Sequence, residues 1–174
     1  MDIVARARAF AAECHADQKR KYSSEPYTVH LDNVVELLRQ HGEEEPATLA
    51  AAYLHDTVED TDTTVQDLIR ELGEPIAELV YWLSDMEKGN RGSRVLMSAW
   101  RLARAPMPAK LIKCADIIDN TTNIVQHDFH YAPKFLREKR VVLEHMANAE
   151  GERLTSLPLV QEAQRSATMP LPQA

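Results

Sequence analysis

The chain has 174 residues, of which 27 are Asp or Glu and 20 are Lys or Arg, giving a formal net charge of −7. A chain of this length fills one ordinary domain, and its 44% hydrophobic content excludes disorder as a whole-chain reading. The acid surplus excludes a general binder of nucleic acid and disfavours a peripheral protein of anionic membranes, while only 5 glycines disfavour a turn-dense β-sandwich.

Apolar residues recur at helical spacing almost throughout. Ile3, Ala7, Phe10 and Cys14 predict a first helix of about five turns, running out near Tyr22. A second spans about residues 30–41 and ends at Gly42. Pro46 suits the first turn of a third, over about residues 46–60, which is apolar on several sides and belongs at the centre of a domain. Asp62 or Thr63 can cap a short fourth helix over about 64–72, and Pro75 opens a fifth over about 75–86. Beyond the polar loop at 87–92, a sixth (about 93–104), a seventh (about 109–126) and a long, charged eighth (about 133–154) follow. From Ser156 the chain carries Pro158, Pro170 and Pro172 with little periodicity, which predicts a loosely attached tail, disordered at its end. No strand pattern appears, so the fold class is all-α, a bundle of about eight helices.

Cys14 and Cys114 lie too far apart for a disulfide framework or a zinc spacing and read as buried thiols. The first six residues lack the order of a signal peptide, and no window of about 18 apolar residues occurs. A cytoplasmic location with no membrane partner is therefore expected.

The chemistry concentrates in Leu54-His55-Asp56-Thr57-Val58-Glu59-Asp60-Thr61. One imidazole and three carboxylates follow an apolar stretch, and burying them without partners costs several kcal/mol each, roughly. A metal ion resolves that cost. His55 and Asp56 are adjacent on a helix, and Glu59 overlooks the same face. Further ligands must come from elsewhere, and His30 and Asp116 are the candidates. Two imidazoles and two carboxylates suit Mn²⁺ or Fe²⁺ better than structural zinc. The competing reading is a capped helix end with a solvated acidic face. His15, near Gln18 on the first helix, reads as structural or supporting. Arg91, Arg94 and Lys113 could add cations, although each is also an ordinary surface base; Lys113 reads as packing its stem along its helix.

This pattern resembles the HD-superfamily phosphohydrolases, and most closely the hydrolase domain of the RelA/SpoT alarmone enzymes and their small stand-alone relatives. Gln18-Lys19-Arg20-Lys21 followed by Pro26-Tyr27-Thr28-Val29-His30 is similar to the family's RK…PY-x-x-HP element. Residues 54–61 resemble its LHDTVEDT signature position by position, and Ile112-Lys113-Cys114-Ala115-Asp116 with Asn120 resembles its IKLAD…N element. Leu31 stands where the family usually has Pro, and Cys114 where it has Leu. The resemblance runs from about Phe10 to about Leu143, and the expected organisation is an HD domain over residues 1–155 with a tail over 156–174. The resemblance implies a Mn²⁺ site of His30, His55, Asp56 and Asp116, with Fe²⁺ or another divalent ion as substitutes. It assigns Glu59 and Asp60 as the catalytic acid pair, and Arg20, Lys21 and Asn120 to the nucleotide; Tyr27, by its own ring, is a candidate to stack on the base or to pack.

The implied reaction is hydrolysis of the 3′-pyrophosphate of a guanosine or adenosine alarmone such as (p)ppGpp, giving GDP or GTP and pyrophosphate. The partner is a small nucleotide, not a nucleic acid. Two alternatives stay open: a phosphatase of another 2′- or 3′-phosphorylated nucleotide such as NADPH, and a degenerate HD domain that binds nucleotide without turnover. The sequence sets no oligomeric state, and a homodimer stays open.

Overall fold

A computed structural model describes residues 2–170, and every regular element within them is an α-helix. Eleven are described where the periodicity predicts about eight, and the all-α class holds. The chain divides into two compact units, residues 1–86 and 87–174.

In the first unit, α1 (Ile3–Cys14) begins where the Asp2 carboxylate accepts from the Ala5 amide. It is shorter than the predicted five turns: His15 caps it, and the chain folds back through Lys19, which forms an isolated bridge with Pro26. α2 (Thr28–Gln40) follows. The predicted third helix is two helices, α3 (Pro46–Leu54) and a single turn α4 (Thr57–Asp60), and the interruption falls on His55 and Asp56. Seven of the nine α3 residues are buried, because this Ala-rich helix packs against α1, α2 and the later α6. α5 (Val65–Leu72) starts at Thr64, not at Asp62 or Thr63: Thr64 and Asp67 form a reciprocal capping box, which the earlier residues cannot make with that helix. Gly73, at φ +94°, turns the chain into α6 (Glu74–Leu83).

The second unit comprises α7 (Arg91–Arg104), α8 (Met107–His127), α9 (Ala132–Glu150), α10 (Glu152–Thr155) and α11 (Pro158–Thr168). The predicted eighth helix breaks at Gly151, whose φ of +60° an L side chain rarely adopts. Helices α7, α8, α10 and α11 all pack on α9. The expected loose tail is corrected over much of its length. Pro158 takes the first turn of α11, and Leu159, Val160, Ala163 and Ala167 are buried at helical spacing. The disorder expected at the extreme end falls on residues 171–174, outside those described.

Candidate metal centre and its surroundings

Three ligand-type side chains converge in the first unit. His30 lies in the first turn of α2, while His55 and Asp56 occupy the break between α3 and α4. Both residues keep right-handed helical backbone angles, and although adjacent positions on a helix diverge by about 100°, the two side chains bring His55 Nε2 and Asp56 Oδ2 to 3.1 Å. His30 Nε2 is 3.2 Å from His55 Nε2 and 3.5 Å from Asp56 Oδ2. Both imidazoles are 1% exposed.

The donor set fits a divalent cation. Nitrogen and oxygen ligands about 2.1 Å from an ion stand about 3.0 Å apart at right angles and about 3.4 Å apart at the tetrahedral angle. The three observed separations fall at that spacing. Tautomer chemistry agrees. His55 Nδ1 is 2.7 Å from the Ala52 carbonyl, which can only accept, so Nδ1 carries a proton and Nε2 is the nitrogen that faces His30 and Asp56 and is placed to bind a cation.

A supporting layer surrounds these atoms. The Tyr27 hydroxyl donates to Asp56 Oδ2 at 2.6 Å. The Tyr27 ring stacks on His15, with centroids 4.9 Å apart, and meets His30 edge-on. Glu59 Oε2 accepts from the Asp85 amide at 3.0 Å, and Gln18 Nε2 donates to the Asp60 carbonyl at 2.7 Å. Although Asp60 as a residue is exposed, partial burial of its carboxyl, with the Asp56 charge beside it, pushes its pKa above the usual carboxylate range; the Tyr27 hydroxyl works in the opposite direction.

Arg20 is buried, its backbone paired with Glu25, and the Lys21 ammonium lies against Tyr22. Asp116 and Asn120 belong to the second unit, one turn apart on α8. The Asp116 carboxylate is 3% exposed and takes Lys113 Nζ on one oxygen at 2.8 Å and the Asn120 amide on the other. The Lys113 stem packs in α8 as expected, but its ammonium is committed to Asp116. Arg91 is bound through two nitrogens by Glu138.

A cleft of about 800 Å³ in the first unit is walled by seven acidic side chains, Glu59 and Asp60 among them, and by Arg70. None of the three converging ligands lines it. Without a cation such a wall repels a polyphosphate, so a nucleotide that reaches Glu59 and Asp60 needs a bound cation to offset the charge. Sequence reasoning missed the Asp85 amide on Glu59 and the Lys113–Asp116 pair. The His15–Gln18 pair had a signal, an i, i+3 spacing of two polar residues at a helix end.

Comparison with known proteins agrees with this geometry. The sequence profile of the family described as HD domain matches residues 7–153. A guanosine-3′,5′-bis(diphosphate) 3′-pyrophosphohydrolase of Aquifex aeolicus is 38% identical over 151 residues, covering 85% of this chain and 21% of that protein. The chain thus spans about a fifth of the length of this relative. The enzyme of the same description, MESH1, of Xenopus tropicalis is 32% identical over 124 residues, covering 70% of this chain and 69% of that one. A solved structure of a metazoan SpoT orthologue, described as hydrolysing ppGpp and acting in starvation responses, superposes with a TM-score of 0.83 at 24% identity, over 95% of this chain and 94% of the other.

Proposed function

The chain belongs to the HD domain family, and from that premise we propose that it is a metal-dependent hydrolase of (p)ppGpp or its adenosine analogue. The single observation that carries the reading is the convergence of His30 on His55 and Asp56, the latter two inside the segment that resembles the alarmone-hydrolase signature. The full ligand set of the proposal adds Asp116, and the proposed cation is Mn²⁺. When bound, such a cation lowers the pKa of water and offsets phosphoryl charge.

The reaction adds water across the ester bond between the ribose 3′-oxygen and the pyrophosphate, and the 3′-oxygen leaves with a proton. The chain's own residues divide that work. Glu59 and Asp60, on the turn of α4, accept the proton from the attacking water and return one to the leaving oxygen. Asp85 and Gln18 hold this pair in place through the contacts described above. Tyr27 fixes the Asp56 carboxylate. Arg20, Lys21 and Asn120 are assigned to the nucleotide, whose polyphosphate needs cationic neighbours and positioning more than covalent chemistry. No described helix is long and apolar enough to cross a membrane, and a cytoplasmic location is proposed with the substrate.

Purified protein incubated with ppGpp, pppGpp, their adenine analogues and NADPH, in Mn²⁺ or in EDTA, tests the reading. Pyrophosphate release from an alarmone in Mn²⁺ and none in EDTA is expected. Orthophosphate release from NADPH alone would replace the substrate assignment, and absence of turnover with every substrate and metal would leave a binding module.

A further inference from the structure

We propose that His15 is a positioning residue of this site: its Nδ1–H orients the Gln18 amide, and through that amide sets the backbone of Asp60. The inference rests on the alarmone-hydrolase reading for its kinetic consequence, and on the geometry of the first unit for its structural one.

The chain of contacts has one possible polarity. The Asp60 carbonyl oxygen can only accept, so the Gln18 group 2.7 Å from it is the NH₂ end of the amide. The amide oxygen then faces His15, at 2.7 Å from Nδ1. That oxygen in turn can only accept, so Nδ1 is the donor. The imidazole is 1% exposed, and Nε2 is buried with no hydrogen-bond partner among the described residues. A buried ring that uses one nitrogen and orphans the other is costly unless the bond it makes is needed. Backbone bonds fix the same corner: the Gln18 amide donates to the His15 carbonyl at 3.0 Å, and the Tyr27 amide to the Gln18 carbonyl at 3.0 Å.

What this corner holds is a short element that is otherwise tied by the Asp85 amide on Glu59 and the Thr61 hydroxyl on the Thr57 carbonyl. α4 is one turn of four residues, and such a turn has little intrinsic stability. It carries both Glu59 and Asp60. The Gln18 bond reaches its last residue from 42 positions away, so it ties the turn to the end of α1. The His15 ring separately stacks on Tyr27 with planes 27° apart. Ring and bond can therefore be separated by mutation. Phe keeps an aromatic surface against Tyr27 and removes the Nδ1 donor. Asn places an amide N–H near the Nδ1 position and removes the ring. Gln18→Glu keeps an acceptor for His15 and removes the donor to Asp60, at a half-buried position.

The experiment follows backbone amide hydrogen exchange of residues 57–61 in the metal-free full chain, with ppGpp kinetics in Mn²⁺ alongside. His15→Phe and Gln18→Glu are expected to speed exchange of that segment about tenfold, with His15→Asn close to wild type. In the same variants kcat should fall about tenfold, with KM within about twofold and recovery in His15→Asn. If His15→Phe does not fold, Gln18→Glu alone decides by the same two readouts. Wild-type exchange in Gln18→Glu, or a His15→Asn variant as impaired as His15→Phe, overturns the proposal. Failure of the wild-type protein to hydrolyse any alarmone overturns the proposed function instead and leaves the exchange result to judge His15.

Discussion

His30 and His55, 25 positions apart in the chain, bring their Nε2 atoms to 3.2 Å, with Asp56 Oδ2 within 3.5 Å of both. Without a cation one Nε2–H can bridge to the other nitrogen, but that hydrogen bond leaves the Asp56 oxygen, 3.1 and 3.5 Å from the two rings, unexplained. A shared cation accounts for all three ligand atoms together. Asp56→Ala is therefore expected to abolish Mn²⁺ binding, read by calorimetry, and all turnover with it. Glu59→Gln should leave binding within about twofold and lower kcat at least about tenfold, because the Glu59 carboxylate is engaged with the Asp85 amide and lies outside the three converging ligands. Equal metal loss in both variants would contradict the division between ligands and acid–base residues.

Tyr27 is a candidate to stack on the base or to pack, yet its hydroxyl sits 2.6 Å from a proposed ligand oxygen. Tyr27→Phe keeps the ring on His15 and deletes that donor. Groups that hydrogen-bond a metal ligand typically change affinity about 10- to 100-fold when removed. We expect Mn²⁺ affinity to fall by about tenfold at unchanged fold, measured on the protein without nucleotide. A rise in KM for ppGpp with unchanged Mn²⁺ affinity would return Tyr27 to the nucleotide instead.

The all-α class and the run of helices were legible because helical periodicity survives in a single sequence. The breaks were less so. Nothing in the apolar pattern of residues 46–60 marks the stop at His55, because Ala52, Tyr53 and Leu54 remain buried up to it; the interruption falls on the two polar residues that meet His30, a tertiary contact. Gly151 was a legible stop that the periodicity outweighed. Pro158 read as a loop former although it opens α11, whose small buried residues give a weak apolar signal. At the site, three ligand residues were visible through spacing and motif. The His15–Gln18–Asp60 chain was not, since it joins side chain to backbone over 42 positions and leaves no residue-type signature.

The acid sensitivity of the first unit should carry a signature of Asp32. Arg8 binds its carboxylate through Nε and a terminal nitrogen, at 2.8 and 2.9 Å. The hydrogen bond from Arg8 holds the Asp32 pKa below the usual carboxylate range. The sign follows by linkage. A carboxyl depressed in the folded state contributes stability above its unfolded pKa of about 4, and loses it as pH falls through the folded value. Asp32→Asn is expected to lower stability by about 0.5 kcal/mol at pH 7, a small figure because both side chains are more than a third exposed. The deficit should shrink to nothing well below pH 4, where the wild-type carboxyl is protonated too. Urea unfolding at pH 7, 4 and 2.5 checks this, and a deficit that persists at the lowest pH would assign the effect to packing around Tyr53.

Lys110 tests the second unit. Its side chain is fully buried in α8, and its ammonium pairs with Glu150 at the end of α9. The same pairing holds Glu150 below the usual carboxylate range. Removing one member of a buried pair strands the other charge, which typically costs about 3–5 kcal/mol, whereas replacing both members with well-packed apolar side chains is often neutral. Here Glu150 is partly exposed and water can reach it, so the cost of Glu150→Gln should sit nearer about 2 kcal/mol, all of it from Lys110 left charged in an apolar setting. Lys110→Met should cost less than Glu150→Gln, because the carboxylate it frees can hydrate and keeps Arg153 within 3.6 Å. Chemical denaturation of both variants at pH 7 decides the order. Greater damage from Lys110→Met would mean that the lysine stem is held by packing and that the ion pair contributes little.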